Sequence, residues 1–158
     1  MIFLEYYNMP RYAKNGVFNI LYPTRRRMAT ILKRIIRQNG LVDTRTLEDS
    51  VRINAQITGF STLEIEIVAM YYFIFLNNGA FLWNGGVIPP YNLVRQFTDE
   101  LTSAGIITEI YSQYTEWLTK NYPILEIVPI LEEDQSIVYN FYALDAPPDF
   151  TPGFPLDV

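Results

Sequence analysis

The hydrophobic pattern of this chain changes period four times, and each change predicts an element. Val51, Ile53, Ala55 and Ile57 alternate with Arg52, Asn54 and Gln56, which is the period of two of a strand with one buried face. Thr58-Gly59-Phe60-Ser61 breaks the alternation with a turn, and Leu63, Ile65 and Ile67 then resume it against Thr62, Glu64 and Glu66. The two runs read as a β-hairpin. Ahead of them, Met28, Ile31, Leu32, Ile35 and Ile36 fall on one helical face, with Thr24 placed as an N-cap and Gly40 as the stop. Behind them, Pro89-Pro90 opens the longest helical signal, a stripe of Leu93, Phe97, Leu101, Ala104, Ile107, Tyr111, Tyr114 and Leu118. Gly105 lies inside this stripe, which marks a place where the helix can bend or divide. Residues 124–131 and 136–142 are again strand-like, separated by Glu132-Glu133-Asp134-Gln135. The expected fold class is α+β: a basic N-terminal helix, an antiparallel sheet of about four strands, and a long C-terminal helix packed on the sheet.

The ends of the chain lack such periodicity. Residues 1–23, with Phe3, Tyr6, Tyr7, Tyr12, Phe18 and Tyr22, read as an extended N-terminal arm. Residues 24–143 read as a single α+β domain, and 144–158 as a Pro-rich extended C-terminal tail carrying Phe150 and Phe154. Exposed aromatic segments of this kind need a cover, either their own domain or a neighbouring subunit. Phe81, Leu82 and Trp83, enclosed by Asn77-Asn78-Gly79 and Asn84-Gly85-Gly86, raise the same question within the domain. Phe81, Trp83, Phe150 and Phe154 are therefore candidate partner-binding residues.

Charge adds a second candidate surface. Residues 1–60 hold ten Lys or Arg against four acids, whereas residues 61–158 hold two against thirteen. Two halves of opposite sign either neutralise each other within one fold or meet unlike surfaces on other subunits. Arg25, Arg26, Arg27, Lys33, Arg34 and Arg37 occupy the polar face of the first helix. Arg25 to Arg27 stand at its N-terminal end, where cations oppose the helix dipole, so a phosphate-bearing partner or an acidic protein surface would account for them better than helix stability does. A solvated face is the alternative.

Catalytic chemistry finds little support. The chain has no cysteine and no histidine, which removes disulfides, thiol nucleophiles, the commonest general base and the commonest zinc ligand. Ser50 has no histidine to activate it. Glu64 and Glu66 could serve as paired carboxylates, but they sit in the polar phase of a regular strand. Asp43 and Thr44 read as side chains that fix the bend into the strand. The chain is expected to be no enzyme and to take no cofactor or metal. No apolar run reaches the roughly 18 residues of a membrane span, and the first residues, with Glu5 and Met9-Pro10-Arg11, do not resemble a signal peptide. Synthesis in the cytoplasm is expected.

The order of pieces between residues 24 and 104 resembles a known family. A basic amphipathic helix is followed by Val42, Asp43, Thr44, Leu47, Ser50 and Val51, then the hairpin, then Tyr71, Tyr72, Phe75 and Gly79, then Pro89 and Pro90. This succession is similar to that of the neck and tail-completion (head–tail connector) proteins of tailed bacteriophages, the family of minor tail protein Z of phage lambda. Arg45 stands where the family usually has glycine, and Asn77-Asn78 replaces the usual acidic residue before Gly79. The resemblance implies a structural virion protein, made in the host cytoplasm, that forms a ring in the neck or at the top of the tail. The ring, six- or twelve-fold, would join portal and adaptor to tail proteins, with DNA passing through its channel. The other reading of the residues is a nucleic-acid-binding module that uses the basic helix 25–37, against which stands a pI near 4.7.

Overall fold

The computed structural model describes residues 18–41, 44–59, 61–121, 135–150 and 156–158. Strand β1 (Phe18–Asn19) leads into helix α1 (Tyr22–Gln38), and helix α2 (Thr44–Ser50) precedes strands β2 (Arg52–Thr58) and β3 (Thr62–Met70). Helix α3 (Phe73–Asn78) is followed by a small hairpin, β4 (Ala80–Phe81) and β5 (Val87–Ile88). Helices α4 (Leu93–Ser103) and α5 (Ile106–Asn121) then precede strand β6 (Ser136–Leu144).

The β2–β3 hairpin forms as the alternation requires, with Ile53 opposite Ile67, Ala55 opposite Ile65 and Ile57 opposite Leu63. All of these side chains are buried on one face, together with Ala69. The main sheet has the order β1-β2-β3-β6. It is mixed, which corrects the antiparallel expectation: β3 and β6 run parallel, from Thr62 opposite Ser136 to Met70 opposite Leu144. A parallel neighbour needs a long crossover, and here the chain between β3 and β6 contains α3, the small hairpin, α4 and α5. Strand alternation fixes which side chains face in, but it carries no information on the direction of a partner strand.

Helix α1 is capped three residues earlier than the sequence suggests. Leu21 is the N-cap and makes no side-chain cap bond, while Pro23 sits in the first turn, where its fixed φ suits a helix start. Thr24 is accordingly a buried helical residue and not the cap. Its neighbours on the inner face, Met28, Leu32, Ile35 and Ile36, join Leu93, Val94, Phe97 and Leu101 of α4 in one core.

The long C-terminal helix divides at Gly105, which adopts φ 74°. Its N–H donates to the Thr102 carbonyl at 3.1 Å, and the Ala104 N–H to that of Glu100 at 2.9 Å, closing α4. The division shifts the apolar stripe: after Leu101 the buried positions are Ile106, Ile110, Tyr114 and Leu118, with Tyr111 beside them, while Ala104 is exposed and Ile107 half-buried. Helix α2 was not foreseen, since its seven residues offer Leu47 as the one buried apolar anchor. Ser50 at its end is structural: its Oγ donates to the Leu47 carbonyl at 2.6 Å and accepts the Met70 N–H at 3.0 Å.

Described residues on both sides of the expected domain contribute to its packing. Phe18 packs against Tyr114 and Trp117 with ring centroids 5.2 and 5.3 Å away, and Ile20 is in the core. At the other end, Phe150 lies edge-on to Tyr71 and Phe75, and Leu156 packs on the core. The buried Asn77 donates from Nδ2 to the Asp157 carbonyl at 2.9 Å and accepts the Val94 N–H at 2.8 Å, so one amide joins α3, α4 and the last residues. Residues 1–17, and with them most of the proposed arm, lie outside the described residues, as do Phe154 and the expected strand at 124–131.

Tyr139 on β6 offers a test of the core. Thr98 Oγ1 donates to the Val94 carbonyl at 2.9 Å, so the 2.6 Å contact between Thr98 and the Tyr139 hydroxyl uses the tyrosine proton. Burial pushes the Tyr139 hydroxyl up to about 12. An acid whose pKa is raised by folding stays protonated in the native state after the unfolded chain has released its proton. Its contribution is therefore whole below pH 10 and lost as pH rises from there towards 12. Urea unfolding should show roughly 2 to 3 kcal/mol lost across that window, and Tyr139→Phe should remove that part of the loss.

Candidate interaction surfaces

The small hairpin is the most exposed apolar feature of the described residues. Phe81 is 90% and Trp83 98% exposed, and Val87 and Leu82 are also open to solvent. Residues 79–91 contain no charged side chain. The exposure does not come from a loose loop. Leu82 N–H donates to the Gly86 carbonyl at 2.8 Å, Gly85 N–H to that of Leu82 at 3.0 Å, and Gly86 N–H to Asn84 Oδ1 at 2.9 Å. At the base, Tyr91 N–H reaches the Leu76 carbonyl at 2.9 Å and Asn92 N–H that of Asn77 at 3.2 Å. Gly79 has φ 82°, and a Cβ there would lie 3.0 Å from the Ile88 carbonyl oxygen and 3.1 Å from Pro90 Cδ. Only glycine permits this closure.

The six basic residues of α1 do not act as one surface. Arg27 pairs with Glu109 of α5 at 2.7 Å and Arg34 with Glu100 of α4 at 2.9 Å, so part of the charge asymmetry is answered inside the fold. Arg37 pairs with Glu48 of α2 and holds that carboxyl below the usual carboxylate range. Arg25 donates from Nε to the Ile20 carbonyl at 3.0 Å and from Nη1 to Asn54 Oδ1 at 3.4 Å. Among the described residues, Arg26 and Lys33 make no hydrogen bond or ion pair through their side chains.

Two concavities border α1. A cleft of about 600 Å³ between α1 and β2 is lined by Arg25, Arg26, Lys33 and Arg52 with no acidic residue among its walls. An apolar groove of about 500 Å³ lies where α1 meets the α4–α5 joint, formed by Tyr22, Pro23, Ile31, Ala104 and Ile106 with Arg26 and Arg27 at its rim.

The open face of the sheet is a hydrogen-bonded polar ladder. Asn54 Nδ2 donates to Glu66 Oε1 at 2.9 Å, and Asn140 Nδ2 to Glu64 Oε1 at 2.7 Å. Both carboxylates are thus engaged with amides. Among the described residues no cluster of three or more acids could hold a metal ion, and no helix is long and apolar enough to cross a membrane.

The candidate residues divide accordingly. Phe81 and Trp83 come together on one exposed hairpin; Phe150 is applied to its own domain; Arg25, Arg26 and Lys33 share the basic cleft; Arg27, Arg34 and Arg37 are paired within the chain. The apolar groove was not anticipated, because its walls come from two segments distant in the chain, Tyr22–Ile31 and Ala104–Ile106. The sequence stripe places Ala104 in the buried phase, so the pattern held no signal for the groove. No protein-family model, curated protein or solved structure matches the chain, so the likeness to head–tail connector proteins rests on the motifs quoted above.

Replacing Arg25, Arg26 and Arg27 together by Gln tests whether this cluster holds the fold. The Arg27–Glu109 pair is exposed on both sides, and such pairs contribute about 0 to 1 kcal/mol. Urea unfolding should move by no more than about 1 kcal/mol for each such pair and hydrogen bond lost, leaving a folded protein in which the basic cleft has lost two of its four charges.

Proposed function

We propose that this chain is a structural subunit of the head–tail connector of a tailed bacteriophage. It forms a ring in the neck or at the top of the tail, made in the host cytoplasm and retained in the virion, and it joins portal or adaptor to tail proteins. The observation that carries the reading is the braced hairpin with Phe81 and Trp83 almost wholly in water. Aromatic side chains displayed on a rigid base are the anchors that interfaces use, since little ordering remains to be opposed on binding. The family resemblance supplies the place of assembly. The polar ladder on the sheet supports an interaction role over a hydrolytic one, because each glutamate is already bonded to an asparagine amide.

A second reading, binding to nucleic acid, is favoured by the cleft with Arg25, Arg26, Lys33 and Arg52. The two readings separate in one set of experiments. Mass spectrometry of purified particles should find the chain at a fixed ratio to the portal, and antibody labelling should mark the head–tail junction. Absence from particles, together with duplex-DNA binding that weakens steeply between 50 and 200 mM salt, roughly as the number of phosphates neutralised dictates, would overturn the connector reading in favour of the second.

A further inference from the structure

The hairpin and the apolar groove stand at opposite ends of one helix. The hairpin base is tied to the start of α4 through Asn92 and through Asn77, which accepts the Val94 N–H. The groove lies at the other end, at Ala104 and Ile106. The eleven residues of α4 span about 16 Å, and Trp83 is in water, so the groove does not hold its own chain's hairpin. We propose that the β4–β5 hairpin of one copy docks in the groove between α1 and the α4–α5 joint of a second copy. This rests on the reading of the chain as an assembly subunit and names the surfaces that join neighbouring subunits.

The chemistry of the two surfaces agrees. The hairpin is apolar and uncharged, and the groove presents Tyr22, Ile31 and Ala104 beside the buried Ile106, with no acid at its walls. Arg26, unpaired among the described residues, stands at the rim, where a guanidinium can cover the face of an incoming indole. Since knob and groove are different patches at opposite ends of one element, the contact is heterologous: each copy offers a free knob at one end and a free groove at the other. Such contacts propagate into a ring or a filament, and a two-fold dimer would require the knob of each copy to enter the groove of the other at once.

Area sets the strength of one junction. Two aromatic side chains bury about 150 to 250 Å² each, so Phe81 and Trp83 supply about half of the roughly 800 Å² per partner of a standard interface. A single junction is therefore modest, and closure of a ring, in which every knob and groove is used, makes the assembly persist.

The test uses the full chain and two substitutions on exposed residues, Trp83→Ser to remove the knob and Ala104→Arg to fill the groove, with melting temperatures as the folding control. Each variant alone should associate at least roughly 30-fold more weakly than the unaltered chain, the loss expected for an anchor residue. Mixed together, they should form a one-to-one dimer and nothing larger, because one intact groove meets one intact knob and the other ends are blocked. Analytical ultracentrifugation and native mass spectrometry read this directly. The inference is overturned if either folded variant assembles like the unaltered chain, if the mixture forms no dimer, or if the unaltered chain stays monomeric at millimolar concentration. A photo-crosslinker at position 83 that captures its own chain or a different virion protein also overturns it. In that last case the connector reading stands, with another occupant for the hairpin, whereas absence of the chain from virions removes the connector reading and leaves the self-contact to be judged by the mixing result.

Discussion

Burial of one face of the β2–β3 hairpin is the constraint on which the rest of the molecule depends. Ile53, Ala55, Ile57, Leu63, Ile65, Ile67 and Ala69 all leave water on the same side. Seven such positions on two strands call for a cover wider than one helix. Helix α1 supplies part of it and α4 another, with α5 closing over Phe18 through Tyr114 and Trp117. The other side of the sheet is left to amide–carboxylate pairs. Ile65 is wholly out of water on the inner face, whereas Glu64 and Glu66 on the other face rest on Asn140 and Asn54.

That one-sidedness was legible in the sequence, because a period of two states which residues share a face. The hairpin, the basic helix, the break at Gly105 and a strand from residue 136 follow from local pattern. The parallel course of β6 does not, since direction is decided by how many elements the chain passes through before it returns. Neither does the N-terminus of α1, where Pro23 within the first turn outweighs Thr24 as a cap. Asn77 reads as a turn residue in sequence and is in fact a buried junction between α3, α4 and Asp157.

For the candidate surfaces, sequence and structure diverge in an instructive way. The basic run on α1 suggests one patch, yet three of its six cations find acids on α2, α4 and α5. Opposite charges in the two halves thus serve partly to fasten α1 to the helices beside it. The aromatic residues divide by a different rule. Phe18 and Phe150 have neighbouring rings in their own domain, while Phe81 and Trp83 sit on a hairpin too short to fold back over anything. Composition cannot separate these two groups; the number of rings within reach does.

The account turns on Trp83 being in water in the free chain and covered in the assembly. The chain has two tryptophans, so Trp117→Phe leaves Trp83 as the sole indole emitter. In dilute monomer its fluorescence should resemble that of an indole in water and be quenched readily by iodide. On assembly, the emission should move to the blue and the quenching fall. Protection of Trp83 already present in the monomer, or full quenching that persists in the assembled state, would contradict the account.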